Sequence, residues 1–212
     1  MNEKRLPHII TVVAFLVFIM LGLACATSDR TTDMQSEPKQ SQTTRQYHID
    51  DGHLIIYDGV TSIGEDAFYD KQLTSVTIPN SVTSIGDGAF GENQLTSVTI
   101  PDSVTSIGDN AFMNNQLTSV TIPNSVTSIG DFAFAANNPL TNIVIPDSVG
   151  NLHEDVFAGS LRNVTRISIG ANVNLYGYSD VVWSGFRDSY RINGNRAGTY
   201  TLNNGRWSVQ FR

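Results

Sequence analysis

The chain has 212 residues, a formal net charge of −7 and only 16 % charged residues, below the roughly 25 % usual for soluble domains. These values argue against a nucleic-acid partner, because binding to phosphates requires clustered lysine and arginine side chains. Cys25 is the single cysteine, which excludes an intrachain disulfide.

The first 24 residues are typical of a lipoprotein signal peptide. A short basic start precedes an uncharged, mostly apolar run at residues 9–23. This run is short for a membrane-spanning helix, which needs about 20 residues. The stretch "GLAC" that follows resembles a bacterial lipobox, although Gly22 stands where a larger aliphatic residue is usual. The resemblance implies that Cys25 becomes the acylated first residue of the mature protein; the alternative is a plain signal peptide that leaves a free Cys25.

Residues 25–47 form a polar segment before the repeats. Met34 is the only large apolar side chain between residues 26 and 46. Such a segment buries too little apolar surface to offset the entropy of ordering. We therefore expect a flexible tether here.

A 22-residue repeat dominates residues 48–175. Near-identical copies begin at Gln72, Gln94 and Gln116. One phenylalanine per copy marks the period, with spacings of 22, 22, 22 and 23 residues: Phe68, Phe90, Phe112, Phe134 and Phe157. A single copy cannot bury its apolar face alone, so the repetition predicts coils stacked as a solenoid, with the Phe112 ring buried between its neighbours.

Within one copy, the segment "SVTIP" alternates apolar and polar residues. This predicts a short strand with Ser75 and Thr77 on its outer face, aligned with its copies in one parallel sheet. "VTSIG" is predicted as a second short extended segment. We expect Gly86 to adopt a positive φ and Asp87 to cap a single helical or 3₁₀ turn that carries Phe90. The fold class is thus a β-rich solenoid of short parallel strands.

Residues 176–212 follow a different pattern. Val182, Phe186 and Tyr190 are spaced as one stripe of a short helix capped by Asp180. The pair Asn204-Gly205 indicates a β-hairpin in which Leu202 faces Trp207 and Tyr200 faces Val209. We predict a C-terminal cap, made of this helix and hairpin, over the last coil.

The pattern L-x-x-V-x-I-P-x-x-V-x-x-I-x-x-x-A-F resembles the BspA-like class of leucine-rich repeats of bacterial surface proteins. It covers residues 54–175. The cysteine that many members carry after the phenylalanine is missing, and Gly91, Met113 and Ala135 stand near its place. The resemblance implies a leucine-rich repeat solenoid. Several members of the class take part in adhesion to host matrix proteins or to other bacteria, so the resemblance also implies host matrix proteins or bacterial surface proteins as partners.

No catalytic or metal-binding pattern is present in the sequence. The histidines His48, His53 and His153 have no metal-ligand spacing, and no nucleophile elbow, phosphate loop or paired-carboxylate site emerges. "HED" at residues 153–155 is interpreted as a solvated turn, and "DDGH" near Asp50 as the turn into the first strand. We expect no enzyme, no metal and no cofactor.

Two repeated rows are candidate contact surfaces. The first row is acidic and consists of Glu65, Asp87, Asp109 and Asp131. It either binds cations or a basic partner, or its carboxylates cap the turns by accepting local backbone N–H groups. A hydroxyl row is predicted as a binding face for protein or glycan, at Ser75, Thr77, Ser97, Thr99, Ser119 and Thr121. The alternatives for the hydroxyl row are exposed strand residues without a ligand, or an array that matches ice. If this row is not the binding site, the next candidates are the C-terminal cap and the asparagine-rich turns, at Asn93, Asn114, Asn115 and Asn137.

These observations predict a lipid-anchored binding protein of the bacterial cell envelope, at the outer membrane or cell surface, with adhesion as its candidate role. Its expected partners are the membrane, through lipid on Cys25, and a host matrix protein, bacterial surface protein or glycan. The alternative is a structural scaffold of the envelope or periplasm without an external ligand.

Overall fold

The computed structural model describes residues 46–137, 139–177 and 181–211. The predicted signal peptide, Cys25, almost all of the predicted tether and Asp180 lie outside these residues. None of the helices among the described residues combines the length and the hydrophobicity that a membrane-spanning segment requires.

Most of the elements are short strands. The strands are β1 (Tyr47–Asp50), β2 (His53–Ile56), β3 (Ser62–Ile63), β4 (Ser75–Thr77), β5 (Ser84–Ile85), β6 (Ser106–Ile107), β7 (Ser119–Thr121), β8 (Ser128–Ile129), β9 (Asn142–Ile145), β10 (Asn151–His153), β11 (Arg166–Ile169), β12 (Asn174–Tyr176), β13 (Gly198–Asn203) and β14 (Arg206–Phe211). The helices are the 3₁₀ helices Glu154–Phe157 and Leu161–Asn163 and the α-helix α1 (Val181–Ile192).

The repeats stack as the predicted β-solenoid, and their phenylalanines form a continuous column in the core. Neighbouring ring centroids lie 5.2–5.7 Å apart, with interplanar angles of 4–17°. Phe112 has no exposed surface and lies between Phe90 and Phe134, as predicted. Because every ring packs on the ring of the next coil, the core is continuous from coil to coil.

The two extended segments of the repeat form two columns of strands. The "VTSIG" column is one parallel sheet in the order β3-β5-β6-β8. The "SVTIP" column is interrupted, because residues 97–99 form no strand: β4 pairs with β2, and β7 pairs with β9. The expectation of one continuous sheet is therefore wrong. A three-residue parallel strand makes few ladder hydrogen bonds and its pairing is easily lost, while the other column still joins these coils through β5 and β6.

The expected positive φ at Gly86 is also wrong. The left-handed residue of this turn comes two positions later and recurs in each of the first four coils, at Asp66, Gly88, Asn110 and Phe132. Gly86 is needed for a different reason: a Cβ at this position would lie 2.8 Å from the carbonyl carbon of Gly64 in the preceding coil. The turn keeps its i→i+3 hydrogen bond, from Ala89 N–H to Gly86 O at 3.3 Å.

At the N-terminal end, the chain forms a hairpin that the sequence analysis did not predict. β1 pairs antiparallel with β2 around Asp51-Gly52, and both turn residues have positive φ. The Tyr47 ring, placed in the predicted tether, meets Phe68 edge-on at 5.0 Å. Tyr47 thereby covers the first ring of the phenylalanine column.

At the C-terminal end, α1 and the β13–β14 hairpin cap the solenoid as predicted. Phe186 and Tyr190 are buried, and Asn204-Gly205 forms the hairpin turn, with φ values of 49° and 75°. The predicted pairs, Leu202 with Trp207 and Tyr200 with Val209, are both present. The hairpin also extends the sheet, because β13 pairs antiparallel with β11.

Candidate binding face

The C-terminal half of the solenoid carries one five-stranded sheet in the order β14-β13-β11-β9-β7. Val120, Ile143, Ile167 and Tyr200 point into the core from successive strands. Because side chains alternate along a strand, the residues beside them form the outer surface, here called the C-terminal sheet face. One row across it is Ser119, Asn142, Arg166, Thr201 and Ser208, and the next is Thr121, Val144, Ser168, Thr199 and Gln210.

The two rows carry hydroxyl, amide and guanidinium groups, with Val144 as the one large apolar member and no carboxylate. Arg166 is exposed in the first row, and Arg206 is exposed on the same face of β14. Ser168 and Thr199 are joined through their hydroxyl oxygens at 3.0 Å. The surface presents hydrogen-bonding groups on a rigid sheet, which is the geometry of a contact surface.

The predicted hydroxyl row is divided among three places. Ser119 and Thr121 lie on the C-terminal sheet face, whereas Ser75 and Thr77 lie on β4 in a separate sheet, β1-β2-β4. Ser97 and Thr99 lie between the two sheets, on the segment without strand pairing. The three threonines and Ser97 and Ser119 are exposed, and Ser75 is half-buried.

His53 engages the hydroxyl groups on β4. Its Nδ1 lies 2.5 Å from Ser75 Oγ, and its Nε2 lies 3.4 Å from Thr77 Oγ1. These two hydroxyl groups therefore have an intramolecular partner, which the hydroxyl groups of Ser119 and Thr121 do not have among the described residues.

Most members of the C-terminal sheet face were missed by the sequence analysis. Asn142 and Arg166 carry a sequence signal, since "NIVIP" and "RISIG" align with "SVTIP" and place both residues at the position of Ser119. Thr199, Thr201 and Gln210 carry none. They join the face only because the hairpin pairs with β11, and nothing in the repeat pattern specifies that pairing.

The asparagine-rich turns are structural, so the interpretation of Asn93, Asn115 and Asn137 as alternative binding residues is wrong. All three side chains are buried. Asn115 Oδ1 accepts the N–H of Leu95 at 3.0 Å, and its Nδ2 donates to the carbonyl oxygen of Phe90 at 2.9 Å. Each amide thus joins two coils where the chain turns inside the protein. Asn114 donates instead to the carboxylate of Glu92.

Two members of the acidic row, Asp87 and Asp109, accept backbone N–H groups of the next coil instead of capping their own turns. Asp87 Oδ1 accepts the N–H of Asp109 at 2.9 Å, and Asp109 Oδ1 accepts the N–H of Asp131 at 2.8 Å. Both carboxylates therefore bond to the next coil. The described residues contain no group of three or more metal-ligating side chains.

His153 begins a 3₁₀ helix rather than a solvated turn. Its Nδ1 accepts the N–H of Asp155 at 3.2 Å, and its ring meets Tyr176 edge-on at 4.8 Å. The imidazole therefore caps the helix that carries Phe157.

The repeat geometry agrees with one family. The model of the BspA type leucine rich repeat region matches residues 61–179 in six copies. The chain belongs to this family. Leucine-rich repeat proteins are generally protein-interaction or surface proteins. In this BspA-type chain the stacked repeats share a continuous core, the architecture on which repeat proteins build extended binding surfaces.

Solved structures of bacterial leucine-rich repeat proteins are similar to this BspA-type chain. A protein from Bacteroides ovatus is 36 % identical, with a TM-score of 0.50 over 58 % of this chain and 32 % of its own. The match thus spans about a third of that protein. A Treponema pallidum leucine-rich repeat protein is 23 % identical, with a TM-score of 0.49 over 68 % of this chain and 92 % of its own.

A leucine-rich cell surface protein from Faecalibacterium prausnitzii is 23 % identical, with a TM-score of 0.28 over 61 % of each chain. No curated protein matches the chain.

Proposed function

We propose that this protein is a lipid-anchored binding protein of the bacterial cell envelope that contacts a protein or glycan through the outer side of its "SVTIP" column. The C-terminal sheet face is the observation that carries the proposal. Five paired strands hold polar side chains on a surface whose two rows have no carboxylate. Ser119, Thr121, Ser208 and Gln210 are exposed, whereas Ser168 is buried. A rigid surface of this kind loses little conformational entropy when a ligand binds.

Binding is favoured over catalysis by the shape of the described surface. The cavity beside Tyr47 and Phe68 has a volume of about 130 Å³ and is lined mostly by apolar residues, among them Ile56, Val60 and Ile63. It does not bring together a nucleophile, a general base and an oxyanion donor, which a reaction centre requires. The C-terminal sheet face, in contrast, presents exposed polar side chains from paired strands, an arrangement suited to contact rather than to a reaction.

Attachment to the membrane is proposed through lipid on Cys25, with residues 25–47 as a tether between the membrane and the solenoid at 48–175. Cys25→Ser should abolish incorporation of labelled palmitate and release the protein from the membrane fraction. Thr27→Ser is the matched control, because it changes a neighbouring residue and keeps the cysteine. Palmitate incorporation by Cys25→Ser would overturn the anchor.

Two triple variants test the binding surface against purified matrix proteins and a glycan array. The first places arginine at Thr77, Thr99 and Thr121, and the second places arginine at Thr83, Thr105 and Thr127. The second set is also exposed, but it belongs to the "VTSIG" column. We expect both proteins to fold and the first alone to show altered binding.

The outcome assigns the site. Equal binding by the parent and both variants would overturn the "SVTIP" column as the contact surface. If the parent binds no matrix protein and no glycan, the binding function itself is wrong and the envelope scaffold becomes the better description.

A further inference from the structure

Charge is strongly segregated along this acidic chain. Between residues 46 and 161 Lys71 is the only lysine or arginine, whereas residues 162–211 contain six arginines and two aspartates. The six arginines are Arg162, Arg166, Arg187, Arg191, Arg196 and Arg206. The C-terminal end of the solenoid is thus cationic on a protein whose net charge is −7.

Three of these arginines serve the cap itself. Arg187 Nη1 donates to the carbonyl oxygen of Gly177 at 2.7 Å, and Arg191 Nη2 donates to that of Leu175 at 3.1 Å. The Arg196 guanidinium lies 4.2 Å from the centroid of the Phe211 ring. Their positions are explained by contacts inside the protein.

Arg166 and Arg206 have no such explanation. Both are exposed on the C-terminal sheet face, and neither forms an ion pair with a described residue. Arg166 pairs across the sheet with Asn142 and Thr201. Strand geometry separates the two arginine Cα atoms by about 12 Å, since they are two strands and two residues apart.

The polar neighbours of the two arginines define the chemistry of the ligand. Asp147, which follows β9 at the opposite end of the strands, bonds to the N–H of Ala171 at 2.6 Å. The ends of the strands that carry Arg166 and Arg206 hold hydroxyl and amide groups. Guanidinium groups bind oxyanions in bidentate geometry, and the surrounding hydroxyl and amide groups can bond to a polyhydroxylated chain.

A protein ligand fits this face less well. Protein interfaces depend on aromatic and apolar anchors in pockets, and the two rows present only Val144 as an apolar side chain. Across its five strands the face is about 19 Å wide, which suits an extended chain.

We propose that the C-terminal sheet face binds an anionic polysaccharide, with Arg166 and Arg206 pairing with its sulfate or carboxylate groups and the hydroxyl and amide rows bonding to its sugars. This inference rests on the proposed binding function and specifies its ligand. It also predicts that binding weakens as salt concentration rises, because the paired charges are exposed.

Surface plasmon resonance with the full chain tests the inference, using immobilised heparin, polygalacturonate and neutral dextran at physiological ionic strength. We expect binding to heparin or polygalacturonate and none to dextran; heparin alone assigns sulfate, and polygalacturonate alone assigns carboxylate. Arg166→Gln/Arg206→Gln should weaken the affinity by about tenfold or more. The matched control, Lys71→Gln/Arg162→Gln, removes the same charge from exposed residues outside the two rows of the face and should change the affinity less than about twofold.

Thr121→Arg provides a test of opposite sign. A third guanidinium on the face should strengthen binding to the anionic polymer. For a neutral glycan or a protein ligand, the same substitution should weaken binding by its bulk. Unchanged thermal melting of each variant shows that it is folded, as expected for exposed positions.

No binding of either anionic polymer by the parent, or an equal loss in both double variants, would overturn the inference. The ligand inference fails while the proposed binding function stands if another glycan or a matrix protein binds to the parent and the Thr77/Thr99/Thr121 triple variant loses that ligand. Both fail together only if the parent binds no ligand of any kind.

Discussion

The carboxylate of Asp87 lies directly over Gly108 in the next coil. Asp87 Oδ1 accepts the N–H of Asp109 at 2.9 Å, and a Cβ at residue 108 would lie 2.2 Å from the same oxygen. The relationship recurs between Asp109 and Gly130 and between Asp147 and Gly170. Glycine and aspartate are therefore needed together, because the glycine leaves space for the carboxylate of the preceding coil.

Gly108→Ala should destabilise the protein strongly, since the new Cβ would also lie 2.6 Å from the backbone nitrogen of Asp87. We expect a loss of about 1–3 kcal/mol in the free energy of unfolding, measured by urea denaturation. Gly64→Ala is the matched control, because Gly64 occupies the same position in the first coil and a Cβ there has no atom within 4 Å. Equal losses in the two variants would contradict the close approach as the cause.

Phe112→Ala should remove a ring from the centre of the core column. The ring is fully buried, so the free energy of unfolding should fall by about 3–5 kcal/mol. Phe132→Ala is the control in the neighbouring coil, since the Phe132 side chain is 40 % exposed and should contribute little. A Phe112→Ala protein that unfolds at the same urea concentration as the parent would be incompatible with this column.

Asn115→Asp tests the buried amides. The new carboxylate can still accept the N–H of Leu95, but it cannot donate to the carbonyl oxygens of Phe90 and Phe112. We expect a loss of about 3 kcal/mol or more, because a charge would be buried against carbonyl oxygens. Asn124→Asp is the control: Asn124 is exposed, and the chain itself has Asp102 at the equivalent position. Comparable unfolding free energies for the two variants would show that the amides are dispensable.

Tyr190 should make the cap sensitive to alkali. Burial raises the pKa of the Tyr190 phenol, the N–H of Val173 opposes this in part, and the Asp147 carboxylate raises it further. The hydroxyl donates to the carbonyl oxygen of Gly170 at 2.8 Å, a bond that requires the proton. The folded state therefore holds the proton more tightly than the unfolded state, whose tyrosine pKa is about 10.

It follows that the free energy of unfolding should be constant with respect to this group below about pH 10 and should fall as the pH rises through the folded pKa. Tyr190→Phe should lower stability at neutral pH by about 1–2 kcal/mol and reduce the alkaline slope. Part of the slope should remain, because burial also raises the pKa of Tyr200. Tyr176→Phe, at a 45 % exposed position, serves as the control. An alkaline slope that Tyr190→Phe leaves intact would contradict this role.

The local pattern of the sequence was sufficient to predict the solenoid. A 22-residue period fixes which residues meet in successive coils, so the burial of Phe112 and the parallel pairing of the "VTSIG" strands follow from spacing alone. The hairpin at Asn204-Gly205 was predictable for a similar reason, since two residues with positive φ set its register locally. The unpredicted hairpin at Asp51-Gly52 carried the same signal in its sequence.

Tertiary structure decided the remaining features, because these features depend on distances between coils rather than on positions within one coil. Gly86 and Asp87 look like local turn residues, but their roles come from the preceding and following coils. Likewise, no local rule specifies that β13 pairs with β11 rather than only covering it. That pairing places Arg206 on the same face as Arg166, and so the candidate binding face exists only in the assembled fold.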